Sequence, residues 1–311
     1  MKNEELCWLP ATEMAKAIRN KKLSPVEITK AILERIEQVN PKINAYCLVT
    51  ADLALKQAKA AEKALSGKKK KNLGPIHGVP FSVKDLLFTK GIRTMRGSKM
   101  YENFVPEENH PVVDRLLAAG GIMLGKTTTP EFGWKGITDS PLTGITRNPW
   151  NVGRTPGGSS GGAAAQVAAG LGPLAIGTDG GGSIRIPAGF SGIFGHKPSY
   201  GRVPNYPPSP FFHLAHAGPM TRTVADGALM LSVMAGPDDR DRLSLEGDPD
   251  DYSGKLKKGI KGLRVAWSPD LGFAQVQPEV AAVAAEAAKA FKKLGCKVEE
   301  VNPGFGDCID F

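Results

Sequence analysis

Thr155-Pro156-Gly157-Gly158-Ser159-Ser160-Gly161-Gly162, followed by an alanine-rich helical pattern and then Gly177-Thr178-Asp179-Gly180-Gly181-Gly182-Ser183-Ile184-Arg185, sets serines in two glycine-rich loops. Glycine removes side-chain obstruction and permits conformations closed to other residues, so successive backbone N–H groups can converge on one point and stabilise negative charge. Three uses compete for such loops: cradling a phosphate, holding the oxyanion of an acyl-transfer intermediate, or letting two strands turn closely. A tight turn explains one such loop well. It explains two, each carrying serine, less well.

Around this centre the chain has 311 residues, 41% of them hydrophobic, enough to bury a substantial core. Its 37 glycines gather in the central stretch without a period, which excludes collagen-like and low-complexity readings. The N-terminal MKNEELCWLPATEMAK has no apolar run of signal-peptide length, and no stretch has the length of a membrane span, so a cytosolic protein without membrane association is expected. Cys7, Cys47, Cys296 and Cys308 lack metal or redox spacing and read as reduced thiols. The net charge of +9 includes the run Lys68 to Lys71, which reads as a solvated loop, and no nucleic acid partner is expected. His77, His110, His196, His213 and His216 include one close pair, His213 and His216, in a proline-rich loop; no catalytic metal and no cofactor follow.

Ser24-Pro25-Val26-Glu27 combines a capping serine, a proline suited to the first helical position and a glutamate able to reach back. Ile28, Ile32 and Ile36 then share one helical face, and a second helix is expected from Asp52 to Leu65 after a short apolar run at Tyr46 to Val49. Residues 1–72 thus read as a helical cover of one domain whose core occupies 73–311. In that core, apolar runs alternate with helical patterns: Val79 to Val83, Val112 to Ala119, Ile122 to Leu124, Leu174 to Ile176, Ile193 to Phe194 and Val224 to Met234. A strand at Leu263 to Trp267, a helix at Pro278 to Leu294 and a strand at Lys297 to Val301 follow. The alternation predicts the α/β class, with helices sandwiching a sheet.

Two other motifs compete for attention. Gly120 to Thr127 matches the phosphate-loop pattern, but its Ile122-Met123-Leu124 puts an apolar strand inside the supposed loop and Pro130 follows closely. Gly157 to Gly161 matches a nucleophile elbow, and His196, His213 or His216 could supply its base; the polar, turn-like Asn151 to Pro156 is a poor strand to precede one.

The residues resemble the amidase signature family from Ser24 to about Asp239. The resemblance is carried by Gly78-Val79-Pro80-Phe81-Ser82-Val83-Lys84-Asp85, GGSSGG at 157–162, GTDGGGSIRIPA at 177–188 and GHKPSYGRVP at 195–204. It implies an α/β/α fold around a mixed central sheet and a Ser, cis-Ser, Lys triad carried by Ser183, Ser159 and Lys84. The 24 positions between Ser159 and Ser183 agree with the family's serine separation. That choice leaves Ser160, Asp179 and Arg185 in supporting roles and the N–H groups of Gly180, Gly181, Gly182 and Ser183 as oxyanion donors. The chemistry is consistent: a serine hydroxyl needs a base, and lysine becomes one when burial disfavours its ammonium form, for which Val79, Phe81, Val83 and Leu86 supply apolar surroundings.

Hydrolysis of a small-molecule amide to carboxylate plus ammonia or amine, without a cofactor, is the implied activity. The glutamine-hydrolysing component of a tRNA-dependent amidotransferase, with partner subunits, is the alternative within the family; Trp134 to Ser140 does not resemble the corresponding segment of that component. Family members run about half as long again, so the end after Phe311 reads as a C-terminal truncation, and an inactive fragment is the third reading. A homodimer stays open.

Overall fold

The computed structural model of the chain describes residues 3–66, 73–247 and 249–304. The Lys68 to Lys71 run, Cys308 and the rest of the segment after Gly304 lie outside the described residues. Contacts divide the chain between Ser253 and Gly254 into two compact units. The expected helical cover falls in the first unit, and the expected core runs across the division.

In the first unit α1 (Asn3–Trp8), α2 (Ala11–Arg19) and α3 (Pro25–Ile43) lead into β1 (Tyr46–Val49) and α4 (Ala51–Ala64). The Ser24 hydroxyl accepts from the N–H groups of Val26 and Glu27 at 3.1 Å each, so the serine caps α3 as its sequence predicts. Its own proton goes to the Glu62 carboxylate on α4. Ile28, Ile32 and Ile36 are buried together.

Then come β2 (Pro80–Lys84), α5 (Pro111–Ala118), β3 (Ile122–Thr127), the two-residue strands β4 (Asp139–Ser140) and β5 (Gly144–Ile145), α6 (Gly161–Ala168), β6 (Leu174–Asp179), α7 (Arg185–Ser191), β7 (Phe194–Gly195), β8 (His216–Thr221) and α8 (Val224–Met234). A short α9 (Tyr252–Lys255) spans the division in the chain. The second unit pairs β9 (Arg264–Trp267) in parallel with β10 (Lys297–Glu300), connected through α10 (Pro278–Lys293), as the strand, helix and strand read from its sequence.

The main sheet has six strands in the order β1-β3-β2-β6-β8-β7. β2 runs parallel to β3 and β6, whereas β1 is antiparallel to β3 and β8 is antiparallel to both β6 and β7. Helices cover both faces, giving the mixed α/β/α architecture. Along β6 the side chains alternate: Leu174 and Ile176 join the large core with α3, α5 and α8, and Ala175 joins the smaller one with Ala163, Ala164 and Val167 of α6 and Ala188 of α7.

β8 escaped the sequence reading because His216-Ala217-Gly218-Pro219-Met220-Thr221 lacks strand-forming residues, and proline argues against a central strand. Its tolerance has a geometric reason. The Pro219 carbonyl accepts from His196 N–H on the β7 side at 3.1 Å, so the missing donor faces the same side, just where β7 ends at Gly195.

The first helices are tied to the far end of the unit. Asp226 of α8 accepts from the Thr12 N–H and hydroxyl at 2.8 and 2.9 Å, and the Arg222 guanidinium donates to the carbonyls of Cys7 and Leu9 while lying over the Trp8 ring. α6 owes its close approach to the sheet to small residues: every one of its eight residues is buried. A Cβ on Gly162 would lie 2.3 Å from Thr128 Oγ1 and 2.4 Å from the Thr128 nitrogen. We expect Gly162→Ala to lower the unfolding free energy by about 1–3 kcal/mol in urea titrations, the usual cost of overpacking. Gly189→Ala, where a Cβ meets nothing within 4 Å, should leave stability unchanged or slightly raised.

Candidate active site

Lys84 ends β2, whose strand neighbours on both sides keep it out of water; it is 0% exposed. Its Nζ lies 2.7 Å from Ser159 Oγ, 2.9 Å from Ser160 Oγ and 2.9 Å from Thr178 Oγ1. Three hydroxyls, and no carboxylate, make up this hydrogen-bonding shell. Burial drives the lysine well below its ordinary pKa, against the opposite pull of the Asp179 charge.

The two neighbouring serines differ in what else they bind. The Ser160 hydroxyl donates to the Thr178 carbonyl at 3.0 Å and accepts from the Thr178 N–H at 3.2 Å, which fastens the loop to β6 and engages its proton. Ser159 is the serine whose proton is left to face Lys84. The Gly158–Ser159 peptide is cis. Thr138 braces the same loop, donating to the Gly157 carbonyl at 2.9 Å and accepting from the Gly161 N–H at 3.0 Å.

Ser183 stands at the turn before α7, joined to the serine loop by the Ser160 N–H, which donates to its carbonyl at 3.2 Å. Asp179 organises that turn. Its carboxylate accepts from the Gly182 and Ile184 N–H groups at 2.8 and 3.1 Å and from Arg185 Nε and a terminal nitrogen at 3.0 Å each. Burial pushes its pKa up, yet the bonds from Arg185, Gly182 and Ile184 outweigh that and hold it below the usual carboxylate range. The expected oxyanion donors are therefore unequal: the Gly182 N–H is committed to Asp179, whereas Gly180, Gly181 and Ser183 line the cavity.

That cavity measures about 360 Å³, within the ordinary range for small-molecule sites. Ser159, Thr178 and Ser183 share its wall with Leu86, Phe88, Phe132, Trp134 and Ile186. Pro207 to Phe211 and Leu214 to His216 close another side.

The histidines are engaged elsewhere. His216 Nδ1 faces the Leu214 and Asp179 carbonyls at 2.8 and 3.2 Å, His213 meets the Tyr200 hydroxyl, and His196 stacks on Phe194. Lysine, not histidine, meets the serines. The phosphate-loop match is likewise a strand: Lys126 lies inside β3, donating to the Leu87 carbonyl at 2.6 Å and to the hydroxyls of Thr89 and Thr94 at 3.0 and 2.9 Å. Among the described residues no three His, Cys, Asp or Glu side chains gather as a metal site, and no helix is long and apolar enough to cross a membrane.

Thr178, Thr138 and Gly133 were not singled out from the sequence. Thr178 sits within the quoted glycine stretch, so its place beside the serine loop was the available signal. Gly133, at φ 74°, has none: a Cβ there would press on Leu86 at 2.7 Å and on Ser159 Oγ at 3.2 Å, a contact only the fold reveals.

The mixed sheet thus buries a lysine against a pair of neighbouring serines. The chain belongs to the Amidase family, whose pattern matches residues 27–306. It is 49% identical over 308 residues to an acylamidase of Rhodococcus erythropolis, covering 99% of this chain and 64% of that protein. It is 43% identical to a glutamyl-tRNA(Gln) amidotransferase component of Synechococcus sp. (strain RCC307), covering 94% and 60%. A solved bacterial aryl acylamidase of the amidase signature enzymes superposes with a TM-score of 0.86 at 35% identity, covering 96% of this chain and 61% of that one. The chain thus spans about three fifths of the length of these relatives.

The site's electrostatics yield a titration test. In carbon-13 spectra of labelled lysine, with Lys84→Met to assign the signal, Lys84 should titrate well below the surface lysines. In Asp179→Asn the midpoint should fall further, because removing a negative charge removes what favours the ammonium. A midpoint in the ordinary lysine range contradicts the assignment.

Proposed function

We propose that this chain carries the catalytic centre of an amidase that cleaves a carboxylic amide through a seryl acyl-enzyme, with Ser183 as nucleophile, Ser159 as proton relay and Lys84 as base. The observation that carries the reading is the 2.7 Å contact between Ser159 Oγ and a buried lysine whose ammonium form is disfavoured. Ser183 Oγ attacks the carbonyl carbon as its proton passes to Ser159, whose own proton moves to Lys84. The step between the two serines belongs to the proposal; catalytic contacts of this kind tighten once substrate is bound. The N–H groups of Gly180, Gly181 and Ser183 receive the negative oxygen.

On collapse the C–N bond breaks, Ser159 gives its proton to the leaving nitrogen, and Lys84 restores it. Water then attacks the Ser183 ester through the same relay, releasing the carboxylic acid and regenerating the serine. Ser160 and Thr178 position Lys84, and Asp179 with Arg185 holds the nucleophile turn. The acylamidase likeness supports this over the amidotransferase reading, and glutaminase activity that appeared only once partner proteins were added would reverse the preference.

Ser183→Ala should reduce anilide turnover to background and Lys84→Ala should reduce it at least about 100-fold, the scale of general acid–base catalysis. Alanine at His196 or His213 should leave most of it. A fluorophosphonate probe, followed by peptide mass mapping, should label Ser183 in the 311-residue chain. Labelling confined to another serine would overturn the assignment, and a folded chain that resists labelling would favour an inactive fragment.

A further inference from the structure

The cavity wall holds a cation that the chemistry above does not use. Arg96 lines the cavity, and its Nε is buried without a hydrogen-bond partner. The guanidinium lies over the rings of Phe88 and Tyr101, with its carbon 4.7 and 5.1 Å from their centroids. Ring contacts engage the face of a guanidinium and leave its in-plane donors open. Among the described residues no carboxylate is within ion-pairing distance of it.

The nearby acid is taken: Asp85 pairs with Lys126 at 3.8 Å and accepts from the Met95 N–H. Other charged groups of the wall are also accounted for. Lys135 pairs with Asp139 at 2.5 Å, Asp179 is held by Arg185, and burial pushes His110 down to about 4, which leaves it neutral. Arg96 thus feels the Asp85 charge through space but has no ion-pair partner in contact with it, on an otherwise largely apolar wall.

Its backbone is held on both sides. The Arg96 N–H donates to the Asp85 carbonyl at 3.0 Å, and its own carbonyl accepts from Phe132 at 2.8 Å, one residue from the glycine that abuts Ser159. Arg96 adopts φ 54°, a left-handed conformation that costs a side-chain-bearing residue energy and persists only where the surroundings impose it. A desolvated donor left unpaired is itself costly. The cost of the unpaired donor is offset if a ligand supplies the acceptor.

We infer that Arg96 anchors a carboxylate carried by the amide, so that the preferred substrates are amides bearing an acid group. The inference rests on reading the site as an amidase and adds its substrate class. A planar guanidinium fork matches a carboxylate with two parallel hydrogen bonds, stronger than bonds to a neutral acceptor.

The test uses two anilides of equal size, the mono-anilide of glutaric acid and the anilide of 5-methylhexanoic acid, whose isopropyl group replaces the carboxylate. Calorimetric binding to the full chain carrying Ser183→Ala separates recognition from chemistry. The glutaric anilide should bind at least about tenfold more tightly, the scale of one charge-assisted contact. That preference should vanish in Ser183→Ala/Arg96→Met, where methionine keeps the apolar stem, and survive in part in Ser183→Ala/Arg96→Lys. Equal binding of the two anilides, or a preference that survives both Arg96 replacements in full, overturns the inference. Should Arg96→Met fail to fold, the wild-type preference, its decline with added salt and the Arg96→Lys value decide it. Turnover by the chain with Ser183 intact is read separately: carboxylate-dependent binding without cleavage keeps the anchor and favours the inactive-fragment reading of the chain.

Discussion

A lysine shut away from water, with hydroxyls rather than a carboxylate around its nitrogen, is the constraint on which the site depends. Burial disfavours an ammonium there, and the three hydroxyls and the more distant Asp179 charge offset that only in part, so the lysine lies well below its ordinary pKa. The arrangement needs the sheet. β2 has β3 on one side and β6 on the other, and the parallel alignment of Val83 with Ile176 brings Thr178 level with the lysine nitrogen. The serine loop then reaches in from the start of α6, whose glycines let it press against Thr128 and Thr138.

Lys126 supplies the contrast. It sits on the adjacent strand, opposite Val83, so its side chain leaves the sheet by the face opposite to that of Lys84. Both lysines are fully buried, but Lys126 has Asp85 at 3.8 Å, and burial lowers it only to about 8. Its carboxylate partner is raised to about 6 by the same burial. One lysine keeps a charged neighbour and ties the Leu87 carbonyl to the Thr89 and Thr94 hydroxyls; the other meets only hydroxyls. Neighbouring positions on one sheet thus give the same residue type two different electrostatic settings.

Much of this was legible in the sequence wherever a local rule applied. The Ser24 cap, the isoleucine stripe of α3 and the apolar strands β2, β3 and β6 follow from spacing alone. β8 did not, because its right to be a strand comes from β7 stopping short of Pro219 and not from its own residues. Lys84, Ser159 and Ser183 were reached through family likeness together with the chemistry of a buried amine. The engagement of the Gly182 N–H by Asp179 is a matter of ångströms that no spacing encodes. Gly133 escaped for a similar reason, its contacts being with Leu86 and Ser159, remote in the chain, and Arg96 because no spacing marks an arginine that packs between Phe88 and Tyr101. The division after Ser253 falls in a polar stretch carrying Gly247, Pro249, Gly254 and Gly259, a boundary signal that the sequence reading passed over.

The bond between Thr12 and Asp226 joins residues separated by 214 positions. During synthesis at about 5–20 residues per second, the first helices leave the ribosome roughly ten to forty seconds before their partner in α8 has been made. Over that interval the apolar face of α2, with Met14 and Ile18, has no finished surface to rest on. The nascent chain must therefore keep its opening helices out of other associations until the sheet is nearly complete, and the order of assembly is imposed by the last strand and helix rather than by the first.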